Sequence, residues 1–145
     1  FCTRVEIAAD GEILVRGPTV APGAGDPLRT GDLGALDQDG RLSVTGRRAD
    51  TVVTGGENVA PAEVEAILES HPAVAEAAVF GRPDPEWGEA VTAAVVPRAG
   101  MRADPDDLRR HCRERLAGFK VPKSFELVAQ LPRTASGKLR RSALR

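Results

Sequence analysis

Two apolar runs, Val74–Phe80 and Ala90–Val96, constrain this chain more than any other feature, because only a short connector holding the turn-forming string Asp84-Pro85-Glu86-Trp87-Gly88 separates them. Each run is short, rich in valine and alanine, and bounded by proline or glycine. Such runs read as buried strands. A domain organised on them has to cover them, and it has few aromatics for the purpose: the chain holds four Phe, one Trp and no Tyr. Its core therefore rests on Val, Leu, Ile and Ala.

Helices are predicted on either side of this pair. Pro61 suits a first helical turn, with Val64, Ile67 and Leu68 as the buried stripe. Asp104-Pro105, a cap followed by proline, opens a second helix with Leu108, Cys112 and Leu116 at helical spacing. A short strand at Thr51–Thr54 ends in Gly55-Gly56, and a last strand is expected near Phe125 to Val128. The earlier third reads as β structure. Arg4–Ala8 alternates, Asp10-Gly11 turns, and Glu12–Arg16 returns. Pro18 to Pro27 is loop, and the turn at Asp39-Gly40 leads into a strand around Leu42–Val44. Gly46-Arg47-Arg48-Ala49-Asp50 reads as a charged, exposed connector. The expected fold class is α+β: a small domain with a short mixed sheet and helices, preceded by strands from the end of something larger.

With 145 residues, 41% of them hydrophobic and 28% charged, the chain has the balance of a soluble globular protein. A net charge of -1 offers no bulk attraction to nucleic acid or an anionic membrane. No apolar run is long enough to span a bilayer, and none looks like a signal peptide. Cys2 and Cys112 match no metal or redox spacing, which points to reduced thiols in a cytoplasm. His71 and His111 have no ligands at suitable spacing, so no metal site of protein ligands is expected. The start at Phe1-Cys2-Thr3, without Met, reads as the start of a fragment.

Three segments could carry chemistry. In Thr134-Ala135-Ser136-Gly137-Lys138, small residues let the loop bend, and the ammonium of Lys138 is a compact charge suited to a phosphate or a developing anion. Alone, the string reads more plainly as a solvated basic tail, since Arg133, Arg140, Arg141 and Arg145 surround it. No aromatics interleave with these charges, which argues against nucleic acid. In Arg29-Thr30-Gly31-Asp32, a carboxylate after glycine can accept two hydrogen bonds from a ribose diol, or simply cap a turn. Arg47 could hold phosphate or sugar oxygens, and Gly55-Gly56 could let a slender substrate pass close to the backbone. An ordinary turn with a surface arginine is the plainer account of that last pair.

Taken in order, the motifs resemble the adenylate-forming superfamily of acyl-CoA synthetases, peptide-synthetase adenylation domains and luciferases. They are Arg29-Thr30-Gly31-Asp32-Leu33-Gly34, Gly46-Arg47-Arg48-Ala49-Asp50, Gly55-Gly56-Glu57-Asn58-Val59 with Pro61-Ala62-Glu63-Val64-Glu65, Phe119-Lys120-Val121-Pro122, and Leu131-Pro132-Arg133-Thr134-Ala135-Ser136-Gly137-Lys138. The resemblance implies a ligase that activates a carboxylic acid with ATP to an acyl-adenylate and passes the acyl group to coenzyme A. It implies that Asp32 holds the ribose hydroxyls, Arg47 touches the same nucleotide, and Lys138 is the catalytic lysine between carboxylate and α-phosphate. Gly56, with Gly55, would border the pantetheine path. The C-terminal domain of such enzymes rotates between the two half-reactions. Mg²⁺ would sit chiefly on the ATP phosphates.

Position by position, the resemblance implies that residues 1–48 end the large domain, Ala49 is the hinge, and residues 50–145 form the mobile lid. Many relatives carry Asp or Lys at the hinge. A small residue there, with the short loop between Gly17 and Thr30, is similar to the 2-succinylbenzoate–CoA ligase branch. Trp87-Gly88-Glu89-Ala90-Val91-Thr92 is similar to aryl-CoA ligases generally. An aryl acid such as 2-succinylbenzoate is thus the expected substrate, with the N-terminal domain of the same protein as partner and a homodimer left open. The isolated fragment is expected to be inactive. Rival readings are a fatty acyl-CoA ligase, a peptide-synthetase adenylation domain and a non-catalytic binding module.

Overall fold

A computed structural model describes residues 2–145, which divide into two compact units, one ending at Ala49 and one spanning Asp50–Arg145. The first unit is a four-stranded antiparallel meander of β1 (Arg4–Ile7), β2 (Glu12–Arg16), β3 (Leu28–Leu36) and β4 (Leu42–Arg47). The Asp10-Gly11 turn joins β1 to β2 as its residues dictate. β3 is a departure from the sequence reading, which left Arg29-Thr30-Gly31-Asp32 outside any strand. Two glycines and the lack of alternation hide it, and the strand survives by bulging. Little of this unit is buried. Among its described residues only Glu12 and Ile13 are so enclosed.

The second unit is built around the expected pair of apolar runs. They form the hairpin of β7 (Val74–Asp84) and β8 (Gly88–Pro97), paired from Val74↔Pro97 to Asp84↔Gly88. Both strands run further into the turn than expected, because the Asp84 carboxylate accepts the amides of Glu86 and Trp87, each at 2.9 Å, and closes the loop tightly. On the other side of β8 lie β5 (Val52–Thr54), antiparallel, and β9 (Ser124–Leu127), parallel; β5 pairs in turn with β6 (Glu57–Val59).

Alternation along the central hairpin gives the sheet two apolar faces. Ala77, Val79, Val91, Ala93 and Val95 meet α1 (Pro61–Glu69), through Val64 and Leu68, and α2 (Pro105–Arg113), through Leu108 and Cys112. Asp104 caps α2, its side chain accepting the Asp106 amide at 2.9 Å. α2 stops at Arg113, so Leu116 reaches the core from the turn beyond the helix and not from its stripe. Ala78, Phe80 and Ala94 occupy the opposite face, where Leu131, Leu139 and Leu144 of the tail cover them. The tail is therefore a third layer through its leucines, while Lys138, Arg133, Arg140 and Arg145 stay exposed as a solvated basic tail would. Each fully enclosed Val, Leu or Phe side chain contributes about 1.5–3 kcal/mol by leaving water. At the outer edge of β7 two backbone amides meet side chains: Val79 N–H donates to Glu65 at 2.8 Å and Ala77 N–H to Glu69 at 3.2 Å.

Candidate functional site

The sequence-derived residues fall into three groups, one in the first unit and two in the second. In the first, Asp32 lies on β3 directly opposite Arg47 on β4, and Arg47 Nε stands 3.2 Å from Asp32 Oδ1. A bulge sets up this pair. Between Glu12 and Leu14 the single residue Ile13 faces three, Thr30, Gly31 and Asp32. Gly31 makes the excursion at φ 75, where a side chain would be strained. The Thr30 hydroxyl donates to the Ile13 carbonyl at 2.8 Å and accepts the Asp32 amide at 3.1 Å. The carboxylate that results is 34% exposed and its arginine 72% exposed, so both can meet a solute.

Sequence reasoning missed the group beneath this bulge. Glu12 is 3% exposed, and its carboxylate accepts the Gly31 amide at 3.0 Å and pairs with Arg29 and, at 3.5 Å, with Arg48. A buried carboxylate needs such partners to stay charged. Here they are the residues that shape the Asp32 excursion. Arg48 also binds Asp10, whose carboxyl its guanidinium holds below the usual carboxylate value. The available signal was an acid directly after a turn and before an apolar run, in a unit that also carries several arginines, Arg29 and Arg48 among them.

In the second unit, Gly55 and Gly56 form the two-residue turn between β5 and β6, at φ 57 and 83. Their missing side chains have different reasons. A Cβ on Gly55 would stand 2.8 Å from the Trp87 ring, whereas one on Gly56 would meet nothing within 4 Å. Gly55 thus lets the turn sit close against Trp87, whose carbonyl accepts its amide at 2.9 Å, while Gly56 faces open space. Over the same ring stands the Lys123 ammonium, 3.6 Å from the centroid. From β8, Glu89 accepts the Val53 amide at 2.8 Å and so ties β5 in place.

Lys138 closes a five-residue turn. Thr134 N–H donates to the Lys138 carbonyl at 2.8 Å, and the Thr134 hydroxyl accepts the Lys138 amide at 3.1 Å. Gly137 supplies the left-handed step at φ 82, and Arg133 donates to its carbonyl at 3.0 Å while pairing with Glu76. The backbone is held and the side chain is exposed, which suits a cation that meets a substrate from solution. Among the described residues no group of three His, Cys, Asp or Glu side chains converges as a metal site would require.

Comparison with known proteins places these observations. Residues 63–138 match the family described as the AMP-binding enzyme C-terminal domain. 2-Succinylbenzoate–CoA ligase of Listeria monocytogenes serotype 4b (strain F2365) is 41% identical over 157 residues, covering 100% of this chain and 33% of that protein. Feruloyl-CoA synthase of an Amycolatopsis species is 46% identical over 147 residues, covering 93% and 30%. Among solved structures, o-succinylbenzoate CoA synthetase from Bacillus subtilis in complex with its acyl-adenylate intermediate superposes with a TM-score of 0.87 at 42% identity, covering 100% of this chain and 34% of that one. The same enzyme has been seen with ATP and magnesium ion, at 41% identity and TM-score 0.87, over 99% and 34%. The chain spans about a third of the length of the curated relatives it matches.

Proposed function

Because the chain belongs to the AMP-binding enzyme C-terminal domain family, we propose that it is the C-terminal portion of an ATP-dependent ligase joining an aryl carboxylic acid, 2-succinylbenzoate or a close analogue, to coenzyme A. The observation that carries this reading is the turn at Thr134–Lys138, which holds its backbone by hydrogen bonds while exposing a single ammonium. An anionic carboxylate must approach an anionic α-phosphate, and a positioned cation offsets that repulsion and the charge of the transition state. The carboxylate oxygen bonds to phosphorus as pyrophosphate leaves. The coenzyme A thiol then gives up its proton and attacks the acyl carbon, and AMP leaves.

In this reading Asp32 accepts the ribose hydroxyls and Arg47, now its ion-pair partner, turns to the nucleotide. We assign Mg²⁺ to the nucleotide phosphates and to residues outside this chain. Gly56 leaves the space through which the thiol arm passes, and Gly55 sets the turn against Trp87. Ala49 serves as the hinge, and an oxidation-free compartment such as the cytoplasm suits Cys2 and Cys112. No helix among the described residues is long and apolar enough to cross a membrane.

Half-reaction kinetics on the full-length enzyme test this. Lys138→Ala should abolish pyrophosphate release yet leave thioester formation from supplied acyl-adenylate intact. Gly56→Val should do the reverse, and Ala49→Pro, which fixes φ, should preserve at most one half-reaction. Equal losses in both steps for the first two variants would defeat the assignment.

A further inference from the structure

The tail that carries Lys138 is fastened by charge on both sides of the lysine, by Arg133 on Glu76 before it and by Arg141 after it, and every donor nitrogen of Arg141 is engaged. Arg141 lies three residues past the lysine. Its Nη2 donates to both carboxylate oxygens of Glu65, at 2.7 and 2.8 Å; its Nη1 donates to Asp50 at 3.2 Å; its Nε donates to the Val79 carbonyl at 3.3 Å. The site is well enclosed, with side-chain exposures of 19% for Arg141, 14% for Glu65 and 32% for Asp50. Three nitrogens of one planar guanidinium held by three separate partners fix an orientation and not only a distance. Glu65 is itself fixed, since the same oxygen accepts the Val79 amide at 2.8 Å.

Lys138 therefore sits between two anchors. On one side is the Thr134 turn; on the other, Leu139 and Leu144 pack against the face bearing Phe80 while Arg141 is pinned to α1 and β7. Asp50, the first residue of the unit, is tied to the same guanidinium. We propose that Arg141 is a positioning residue for Lys138, with Glu65 and Asp50 as its counter-ions, so that the start of the unit, α1 and the lysine turn reorient as one piece. The proposal rests on the assignment of Lys138 above and names the residues that give that lysine its aim. The lysine-bearing turn is exposed and has no packed side chain of its own at residues 134–138, so its aim depends on these anchors.

The test uses full-length enzyme carrying Arg141→Gln, Arg141→Lys, Glu65→Gln or Asp50→Asn, with Lys138→Ala as reference. Pyrophosphate release with acid and ATP is followed beside thioester formation from supplied acyl-adenylate, with thermal unfolding measured for each variant. Arg141→Gln and Glu65→Gln should lower the adenylation kcat on the order of 100-fold, the scale of a misplacement of about 1 Å. The KM for ATP and thioester formation should be unchanged. Arg141→Lys, which keeps charge but loses the fork, should recover part of the rate. Asp50→Asn, the most exposed arm, should cost least and in the same direction, so it keeps the question open to measurement should the Arg141 variants fail to fold. Undiminished adenylation in folded variants, or parallel loss of both half-reactions, would overturn the role of Arg141 while Lys138→Ala remained inactive. Should Lys138→Ala itself adenylate normally, both assignments fall together.

Discussion

Cys112 and Glu12 are both enclosed, and they resolve the problem of a buried titratable group in opposite ways. Glu12 is given polar partners, with Arg29, Arg48 and the Gly31 amide around its carboxylate. Cys112 packs into the apolar α1–α2 core, and burial pushes its thiol from 9.0 up to about 11 against a smaller opposing effect of the Arg115 charge. Between those values the unfolded chain has released a proton that the folded chain keeps. Stability is thus undiminished below about pH 9 and falls as pH rises toward 11. We expect iodoacetamide at pH 8 to modify Cys2, which is exposed, and to reach Cys112 only after denaturant is added. Mass spectrometry showing two labels on native protein would contradict this. Asp32, Arg47 and Lys138 could be proposed from the sequence because each lies in a short local motif. Glu12 and Arg141 were not, since what they do depends on partners 19 and 76 positions away.

At the scale of elements, the β7–β8 hairpin was legible because valine and alanine runs between turn residues admit few other structures. β3 and β6 were not. β3 is a strand interrupted by its own bulge, and β6 is three residues of Glu, Asn and Val whose pairing depends on the glycine turn before it. That turn is held to the rest of the sheet by slender means: one register pair, Thr54↔Gly88, the Gly55 amide on Trp87, and Glu89 on the Val53 amide. Removing the last should matter out of proportion to its energy. Glu89→Ala leaves an amide without its acceptor at a cost of about 1 kcal/mol, yet frees β5 and β6 to shift. The full-length variant should form acyl-adenylate at the normal rate and lose thioester formation, with Glu89→Gln close to unaffected. A loss confined to adenylation would show that this hairpin serves the other step.

The two units differ in how far they can support themselves. Residues 50–145 enclose a sheet between two helices and a tail, whereas the four strands before them bury one apolar side chain, Ile13, among the described residues. A sheet needs a covered apolar face to stand alone. Limited proteolysis of the chain should therefore remove the first unit and leave a resistant fragment beginning near Asp50. That fragment should unfold cooperatively on heating, and equal survival of residues 1–49 would refute the distinction. The seal along β7 has a meaning for association. A strand whose amides face outward is a template on which another chain can add a strand. Glu65 and Glu69, one helical turn apart, occupy the amides of Val79 and Ala77, and Arg141 occupies the Val79 carbonyl. Along β7 these edge groups are thus already occupied, and a second molecule could add a strand there only by first displacing the helix's acids.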